Sequence, residues 1–273
     1  MTRRFSWPLT ILAIILVVVF LYPFFLIVSG SLKTLGDVLT NPLGLPKEVA
    51  FDTYVTAWED MHYPRAFINT LVIPAFAVTG RVLIGSMAGY RLQRTRTRYS
   101  FVIYLICVSP MLIPFHTIMF SFMRIITNLS LTGSIPGIIV VYLGMCSFDI
   151  FLFYNFVATV PAAMEESAVM DGAGQFRMFF QIVSPMLKTV TATIVVLNSM
   201  FTWNDFLVPM LLINRSPRTR TLTLATLVFY GKYSTTWNTA LAGLVLTVIP
   251  ILIVFMVLQR YIVKGIAAGA VKS

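Results

Sequence analysis

The chain contains six apolar runs that are each long enough to cross a lipid bilayer as a helix. A spanning helix needs about 20 mostly apolar residues. Only 11% of the residues are charged, against roughly 25% in soluble globular chains, so the chain cannot cover a water-facing surface in the usual way. We therefore expect an all-α integral membrane protein with six transmembrane helices. The runs occupy about residues 9–30, 69–90, 100–123, 134–158, 189–213 and 238–262.

The first run also permits a second interpretation, because a secretory signal peptide likewise begins with basic residues. The apolar part of a signal peptide covers only about 7–15 residues. The run at 9–30 is longer and has no clear A-x-A cleavage pattern. We therefore predict an uncleaved first transmembrane helix.

The charged residues are unbalanced, with 20 Lys and Arg against 10 Asp and Glu and a net charge of +10. In a soluble domain this excess would suggest a nucleic-acid partner. In membrane proteins Lys and Arg concentrate in short cytoplasmic loops, so we expect a lipid bilayer and no nucleic acid.

The positions of the basic residues orient the predicted helices. Arg3 and Arg4 precede the first helix, and Lys264 and Lys272 follow the last. Together with four arginines between the second and third helices, they place both termini in the cytoplasm. The loop at 214–235 opposes this orientation, because it carries four basic residues and no acid. The four arginines are Arg91, Arg94, Arg96 and Arg98.

Residues 31–66 differ from the apolar runs in being rich in acids, prolines and aromatic residues. We predict an extracytoplasmic loop with one short helix near Asp52–Asp60. No internal repeat and no Gly/Ser-rich linker divides the sequence. We therefore predict a single transmembrane domain over residues 1–273, with its core at about 66–262.

The segment between the fourth and fifth helices, at about 159–188, is long for a connection. Pro161 suits the first turn of a helix, and Glu165 and Glu166 follow where the helix dipole favours carboxylates. Asp171-Gly172 is a turn signal, which predicts a helix of about ten residues followed by a second helical segment. Small side chains on the short helix let another protein approach its backbone, and its acids can pair with Arg or Lys. The alternative is an amphipathic helix resting on lipid headgroups, but its acids would then face anionic lipid.

Five residues of this segment follow a spacing of E-x-A, three residues, G, nine residues and I-x-x-P. The pattern resembles the EAA loop of ABC importer membrane subunits, written E-A-A, three residues, G, nine residues, I-x-L-P. Ser167 replaces the second-position Ala, and Ser184 replaces the Leu. Neither replacement changes the bulk enough to prevent docking. The matching residues are Glu166, Ala168, Gly172, Ile182 and Pro185.

Shorter matches extend the resemblance over nearly the whole chain. They are similar to the carbohydrate branch of these subunits, the maltose-type permeases. The matches are Asn69-Thr70-Leu71, Trp203-Asn204-Asp205-Phe206, Gln259-Arg260-Tyr261 and the tail at 265–272.

The resemblance implies a type I ABC importer permease of a bacterial or archaeal inner membrane, with a cytoplasmic coupling helix between helices four and five. Such a subunit forms a heterodimer with a second permease, docks on two ATP-binding subunits and receives a sugar from an extracytoplasmic solute-binding protein. The resemblance also implies a non-catalytic subunit without cofactor or metal, with ATP and Mg on the partners. The absence of a G-x-x-x-x-G-K-[ST] P-loop from the sequence agrees with this expectation. The implied ATPase-coupling residues are Glu165, Glu166, Ser167, Ala168, Asp171, Gly172 and Ala173.

Three other functions remain open. The solute could be a polyol or a glycerol-phosphate-type anion instead of a sugar. An ion-coupled secondary transporter would need inverted repeats around midplane acids. A scaffold that docks an ATPase without transporting would show no solute-stimulated ATP hydrolysis.

Two charged residues inside the predicted helices are candidates for the translocation path, because charges at mid-membrane are rare and often functional. Arg81 lies about ten residues, roughly 15 Å, from the inner end of helix two. Asp149 lies at a similar depth in helix four, about nine residues from its inner end. We predict that the two form an ion pair or that Arg81 faces a watery cavity. Alternatively, Arg81 packs beside carbonyl groups or Asn198.

Trp203, Asn204 and Asp205 are further candidates for the path, in helix five. Amides, carboxylates and aromatic faces are the groups that bind sugars. Consecutive residues cannot all face one way on a helix, so we expect at most Trp203 or Asn204 to face the path. A substrate site carried mainly by the partner permease is the alternative.

Overall fold

The computed structural model describes residues 7–214, 216–230 and 236–270, with the backbone alone for residues 257–270. The described residues are mainly helical and contain no strand. Short 3₁₀ segments lie at Ser109–Leu112, Pro217–Thr219 and Thr226–Phe229, and a π-helix lies at Met178–Val183. The α-helices are α1 (Trp7–Ser31), α2 (Leu35–Thr40), α3 (Asp52–Asp60), α4 (Tyr63–Arg94), α5 (Arg98–Val108), α6 (Phe115–Asn128), α7 (Ile135–Gly144), α8 (Ser147–Val157), α9 (Ala162–Met170), α10 (Gln175–Arg177), α11 (Ser184–Met186), α12 (Lys188–Asn204), α13 (Leu207–Ile213), α14 (Leu222–Ala225) and α15 (Trp237–Ala270).

Three helices are long and apolar enough to cross a membrane without a break, namely α1, α4 and α15. Three bent pairs also qualify if each counts as one span, which raises the number to six. The predicted six helices correspond to this second count. The bent pairs are α5 through Leu112 with α6, at 109°, α7 with α8, at 43°, and Gln175–Met186 with α12, at 78°.

The sharpest bend lies in the predicted third helix. Ile113 is extended, with φ −103° and ψ 118°, and Pro114 stands directly before α6. A proline disfavours helical backbone in the residue before it, and it lacks the N–H that would continue the helix. The run at 100–123 is therefore two helices and not one.

The chain divides into two compact units, of which the first comprises residues 1–64 and 225–250. In this unit the predicted short helix of the 31–66 segment is confirmed as α3, and α2 is a second short helix there that was not predicted. Lys33 is fully buried, and its Nζ donates to the carbonyl of Asn41 at 2.6 Å. These contacts order the loop between α1 and α3.

The second unit comprises residues 65–224 and 251–273 and contains all the candidate functional residues. Its core joins α8 to the segment that follows α9 and to α12. Val82 and Tyr90 of α4 pack against this core. The prediction of a single transmembrane domain stays a prediction. The buried core residues are Phe153, Val157, Val160, Phe179, Val183, Leu187, Val190 and Ile194.

Two glycines of α4 allow α8 to approach closely. A methyl group on Gly85 would lie 2.8 Å from Cβ of Asp149, and one on Gly89 would lie 2.8 Å from the backbone nitrogen of Tyr154. Gly85-x-x-x-Gly89 is a spacing that brings membrane helices into close contact. This close contact fixes the position of α4 relative to α8 over the turn from Gly85 to Gly89.

Part of the predicted orientation depends on residues that the structure does not describe. Arg3, Arg4 and Lys272 lie outside the described residues, as do the side chains of Arg260 and Lys264. The orientation of the termini therefore stays a prediction. The same applies to the matches at 259–261 and 265–272.

Candidate functional site

The segment that resembles the EAA loop folds as a short helix with a defined start and end. Pro161 stands directly before α9 with φ −62°. At the other end, the N–H of Gly172 donates to the carbonyl of Val169 at 2.9 Å. The N–H of Ala173 donates to the carbonyl of Ala168, also at 2.9 Å, which completes a Schellman motif. The predicted short helix is confirmed, and the motif explains the glycine, because Gly172 has φ 78°.

Replacing Gly172 by Ala is expected to destabilise the end of α9 by about 1–2 kcal/mol, because a Cβ disfavours left-handed backbone. A Cβ at this position would meet no atom within 4 Å, so the effect acts on the backbone alone. Hydrogen–deuterium exchange of the amides at 166–173 measures it. The matched control is Gly174→Ala, since Gly174 has φ −73° and equally open surroundings. Equal exchange in both variants would contradict the assignment.

α9 turns one side toward its own chain and leaves the other exposed. Ala168 is buried and Glu165 is half-buried. Met170 is 87% exposed and Val169 is 61% exposed. The remaining predicted coupling residues lie on or near the open side, where Glu166, Ser167, Asp171 and Gly172 are exposed and Ala173 is half-buried.

Glu165 is bound within the chain. Its Oε1 accepts from Nε of Arg94 at 2.7 Å and forms an ion pair with Nη2 of the same residue at 2.6 Å. Its Oε2 accepts from the Tyr90 hydroxyl at 2.9 Å. The structure thus separates the two adjacent acids, because Glu165 is held by α4 while Glu166 is free to meet another protein.

The predicted second helical segment, from Gln175 to Lys188, is helical from Gln175 to Met186. It consists of α10, the π-helix and α11, and it meets α12 at a bend of 78°. Pro185 lies in the first turn of α11 and cannot donate a backbone hydrogen bond, so the regular α-helical ladder is interrupted here. Ile182 lies in the π-helix. Both residues of the EAA pattern therefore lie where the chain departs from regular helix.

Arg81 and Asp149 form the ion pair that we expected from their depth. Nε of Arg81 donates to Oδ2 of Asp149 at 2.8 Å. Nδ2 of Asn198 donates to the other carboxylate oxygen at 2.9 Å. The three residues are at most 4% exposed, and they join α4, α8 and α12. Asn198 and Arg81 bind different oxygens of the same carboxylate, so the structure shows the ion pair with Asn198 as a further donor to Asp149.

The predicted fifth helix ends earlier than expected, because α12 stops at Asn204. Oδ1 of Asp205 accepts from the N–H groups of Leu207 and Val208 at 3.0 and 3.3 Å, which caps the start of α13. Oδ2 of Asp205 accepts from the Tyr142 hydroxyl at 2.9 Å. The expectation that Asp205 continues the helix is therefore wrong, and both of its carboxylate oxygens are used within the chain.

Trp203 and Asn204 point to different surroundings. Trp203 is 5% exposed and lines a cavity of about 460 Å³ with residues of α4, α12 and α15. Asn204 is exposed and continues an exposed stripe of α12 that includes Leu197 and Phe201. Of the two, Asn204 is the more exposed, and its Nδ2 donates to the carbonyl of Met200 at 2.8 Å.

Several residues of the site were missed from the sequence. Tyr90 and Arg94 were not connected with Glu165, and Tyr142 was not connected with Asp205. The spacing of Gly85 and Gly89 could have predicted that α4 packs closely against another helix, because this spacing is typical of close helix contacts in membranes. Tyr90 and Arg94 stand one helical turn apart and so share a face of α4, but this pattern does not identify their partner.

The chain matches known proteins in both sequence and structure. A family described as "Binding-protein-dependent transport system inner membrane component" matches residues 81–268. The probable starch degradation products transport system permease protein AmyC of Thermoanaerobacterium thermosulfurigenes is 38% identical, over 98% of this chain and 97% of the relative. The melibiose/raffinose/stachyose import permease protein MelC of Bacillus subtilis (strain 168) is 30% identical, over 97% and 96%.

A solved structure has the same fold. It is the crystal structure of a bacterial ABC transporter involved in the import of the acidic polysaccharide alginate. A chain of that transporter superposes with a TM-score of 0.79 at 25% identity, over 95% of this chain and 99% of that chain. The expected all-α permease fold of type I is therefore confirmed.

The family match includes the ion pair of Arg81 and Asp149, the EAA pattern at 166–185 and the end of α12. The two relatives extend the similarity over nearly the whole chain. The chain thus belongs to the family of inner membrane components of binding-protein-dependent transport systems.

Proposed function

We propose that this chain is the permease subunit of an ATP-driven importer and that its solute is a sugar or an oligosaccharide. Family membership supports the role in import, and the names of AmyC and MelC support the class of solute. The chain itself performs no chemistry. A second permease completes the path, a binding protein delivers the solute, and two ATP-binding subunits hold ATP and Mg.

The exposed side of α9 is the observation that supports docking of an ATP-binding subunit. Met170 and Val169 are exposed apolar side chains on a helix between the predicted fourth and fifth spans. Clustered exposed apolar groups typically mark an interaction site. Glu166 and Asp171 lie beside them and are exposed, so they can pair with basic residues at the rim. If no partner covered Met170 and Val169, their apolar side chains would face water, which is unfavourable in free energy.

Replacing Met170 by Glu is expected to reduce the amount of co-purified ATP-binding subunit and the solute-stimulated ATP hydrolysis by about tenfold, which corresponds to about 1.4 kcal/mol of binding free energy. The complex is purified with its partner subunits, the binding protein is added, and phosphate release is measured with and without solute. The matched control is Leu43→Glu, since Leu43 is 62% exposed in the extracytoplasmic segment.

Three outcomes decide between the functions. Solute-stimulated hydrolysis together with uptake supports the importer. Hydrolysis that solute does not stimulate would favour a scaffold that docks an ATPase. Absence of any ATP-binding subunit from the purified wild-type complex would overturn the proposal. Mass spectrometry of the co-purified solute then distinguishes a neutral sugar from a polyol or an anion.

We infer that the candidate path residues divide into two groups. Arg81, Asp149 and Asn198 are enclosed within the chain, so they position helices. Asp205 caps α13, and Trp203 is buried. Asn204 is the candidate for contact with solute, because it is exposed at the end of α12 and its amide can bind a hydroxyl group.

A further inference from the structure

A cluster of polar contacts fixes the coupling helix α9 to the end of α4. The Glu165 carboxylate is bound by Arg94 through two nitrogens and by the Tyr90 hydroxyl. The side chains of Arg94 and Glu165 are only 17% and 13% exposed. Charged hydrogen bonds that are shielded from water are stronger than those on a surface. These contacts are therefore a firm attachment and not an incidental surface pair.

Arg94 holds α9 at a second point. Its Nη2 also donates to the carbonyl of Val160 at 2.9 Å, in the residues that lead into the helix. The attachment thus fixes both the entry of the chain and a side chain one turn into α9. Two separated points restrict rotation as well as translation of the helix.

Apolar packing also attaches the chain that follows α9 to α4. The ring of Tyr90 lies against the ring of Phe179, with centroids 5.4 Å apart. Phe179 belongs to the π-helix that follows α9 and is 4% exposed. The chain before α9 and the chain after it are therefore both anchored to the same turn of α4.

α4 continues from this attachment to the buried ion pair. Arg94 and Arg81 are separated by 13 residues, or about 20 Å along the helix axis. Between them, Gly89 and Gly85 bring α4 into contact with α8. At the far end, Asp149 joins Arg81 to Asn198 of α12. One continuous helix therefore connects the attachment of α9 with the contacts to α8 and α12.

The covalent connection from α9 to α12 is a poorer route for the same displacement. It passes through a turn, the π-helix and a bend of 78° before α12 begins. Such a segment bends more readily than the part of α4 from Arg81 to Arg94, which is continuous helix without a proline. The non-covalent attachment to α4 is the stiffer of the two connections.

We propose that Tyr90, Arg94 and Glu165 form a joint that transmits the movement of the coupling helix to α4, and with it to α8 and α12. This inference rests on the proposed importer function. It assigns Glu165 to the inside of the chain as a positioning residue, and it leaves Glu166 and Asp171 for the ATP-binding subunit. Loss of the joint uncouples ATP hydrolysis from transport without removing the docking surface.

The test measures solute taken up per ATP hydrolysed by the complete complex in proteoliposomes with its binding protein. Glu165→Gln and Arg94→Gln each reduce this ratio about fivefold or more, as expected for the loss of a coupling interaction. Tyr90→Phe keeps the ring against Phe179 and gives a smaller reduction. Exchange of the charges in Arg94→Glu with Glu165→Arg restores much of the ratio. Arg96→Gln is the matched control, since Arg96 is exposed in the same cluster.

The outcomes separate the joint from the importer function. No solute-stimulated hydrolysis in the wild-type complex would overturn the importer function itself. A wild-type complex that transports, with unchanged ratios in Arg94→Gln and Glu165→Gln, would overturn the joint alone. Equal losses of hydrolysis and uptake would also overturn it, because they show a defect in assembly or docking. A lowered ratio that the charge exchange restores supports the joint.

Discussion

Replacing Asp149 by Asn lowers the free energy of unfolding of this chain by about 3–5 kcal/mol, because a buried arginine loses its counter-charge. The carboxylate accepts hydrogen bonds on both oxygens, one from Arg81 and one from Asn198. An Asn side chain has one acceptor oxygen and one donor group. Its NH₂ must therefore face one of the two donors. The substitution removes a charge and also breaks a hydrogen bond whichever way the amide is turned.

Denaturant unfolding of the purified complex in detergent measures the loss. Asp52→Asn is the matched control, since Asp52 is exposed at the start of α3, and we expect a change within about 0.5 kcal/mol for it. A second variant combines Asp149→Leu with Arg81→Met. Replacing both members of a buried ion pair by apolar residues is often neutral, so the combined variant recovers most of the stability. Wild-type stability of Asp149→Asn would show that the pair contributes little.

The sequence was sufficient to predict this pair because helix geometry converts residue counts into depth. Arg81 and Asp149 were placed at similar depths by the rise per residue, and their opposite charges made the pairing favourable. The sequence was also sufficient to predict α9, because Pro161 and Asp171-Gly172 are local signals for its start and end. Both predictions required only information that lies within a few residues or along one helix.

The contacts of Glu165 could not be predicted in the same way. Its partners Tyr90 and Arg94 lie 75 and 71 residues earlier in the chain. Adjacent residues on a helix differ by about 100° in direction, so Glu165 and Glu166 face different surroundings. Local sequence does not say which of the two turns inward. Only the packing of α4 against α9 decides it.

The break at Asp205 was missed for a different reason. The apolar run continues to residue 213, so hydropathy alone predicts one uninterrupted helix. An Asp just before an apolar stretch is a signal for the start of a helix, and Asp205 fills that role for α13. In a membrane, the hydroxyl of Tyr142 satisfies the second oxygen. The sequence contains this signal, but hydropathy alone does not detect it.

Replacing Gly89 by Leu is the second change for which we expect a large effect, a loss of about 1–3 kcal/mol or more in the free energy of unfolding. A Cβ at this position would lie 2.7 Å from Cβ of Phe153 and 2.8 Å from the backbone nitrogen of Tyr154. Both atoms belong to the backbone or the first side-chain carbon of α8, so a change of rotamer cannot relieve the contact. The two helices must move apart.

Gly89 lies between Arg81 and Arg94 in α4. Moving α4 away from α8 is therefore expected to disturb both the contact of Arg81 with Asp149 and that of Arg94 with Glu165. We therefore expect Gly89→Leu to reduce solute uptake per ATP as well as stability. Denaturant unfolding and the proteoliposome assay measure the two effects. Gly36→Leu is the control, since a Cβ on Gly36 would meet nothing within 4 Å. Equal stability of the two variants would show that α4 and α8 can separate freely, and a rigid path from α9 to α12 would then have no physical basis.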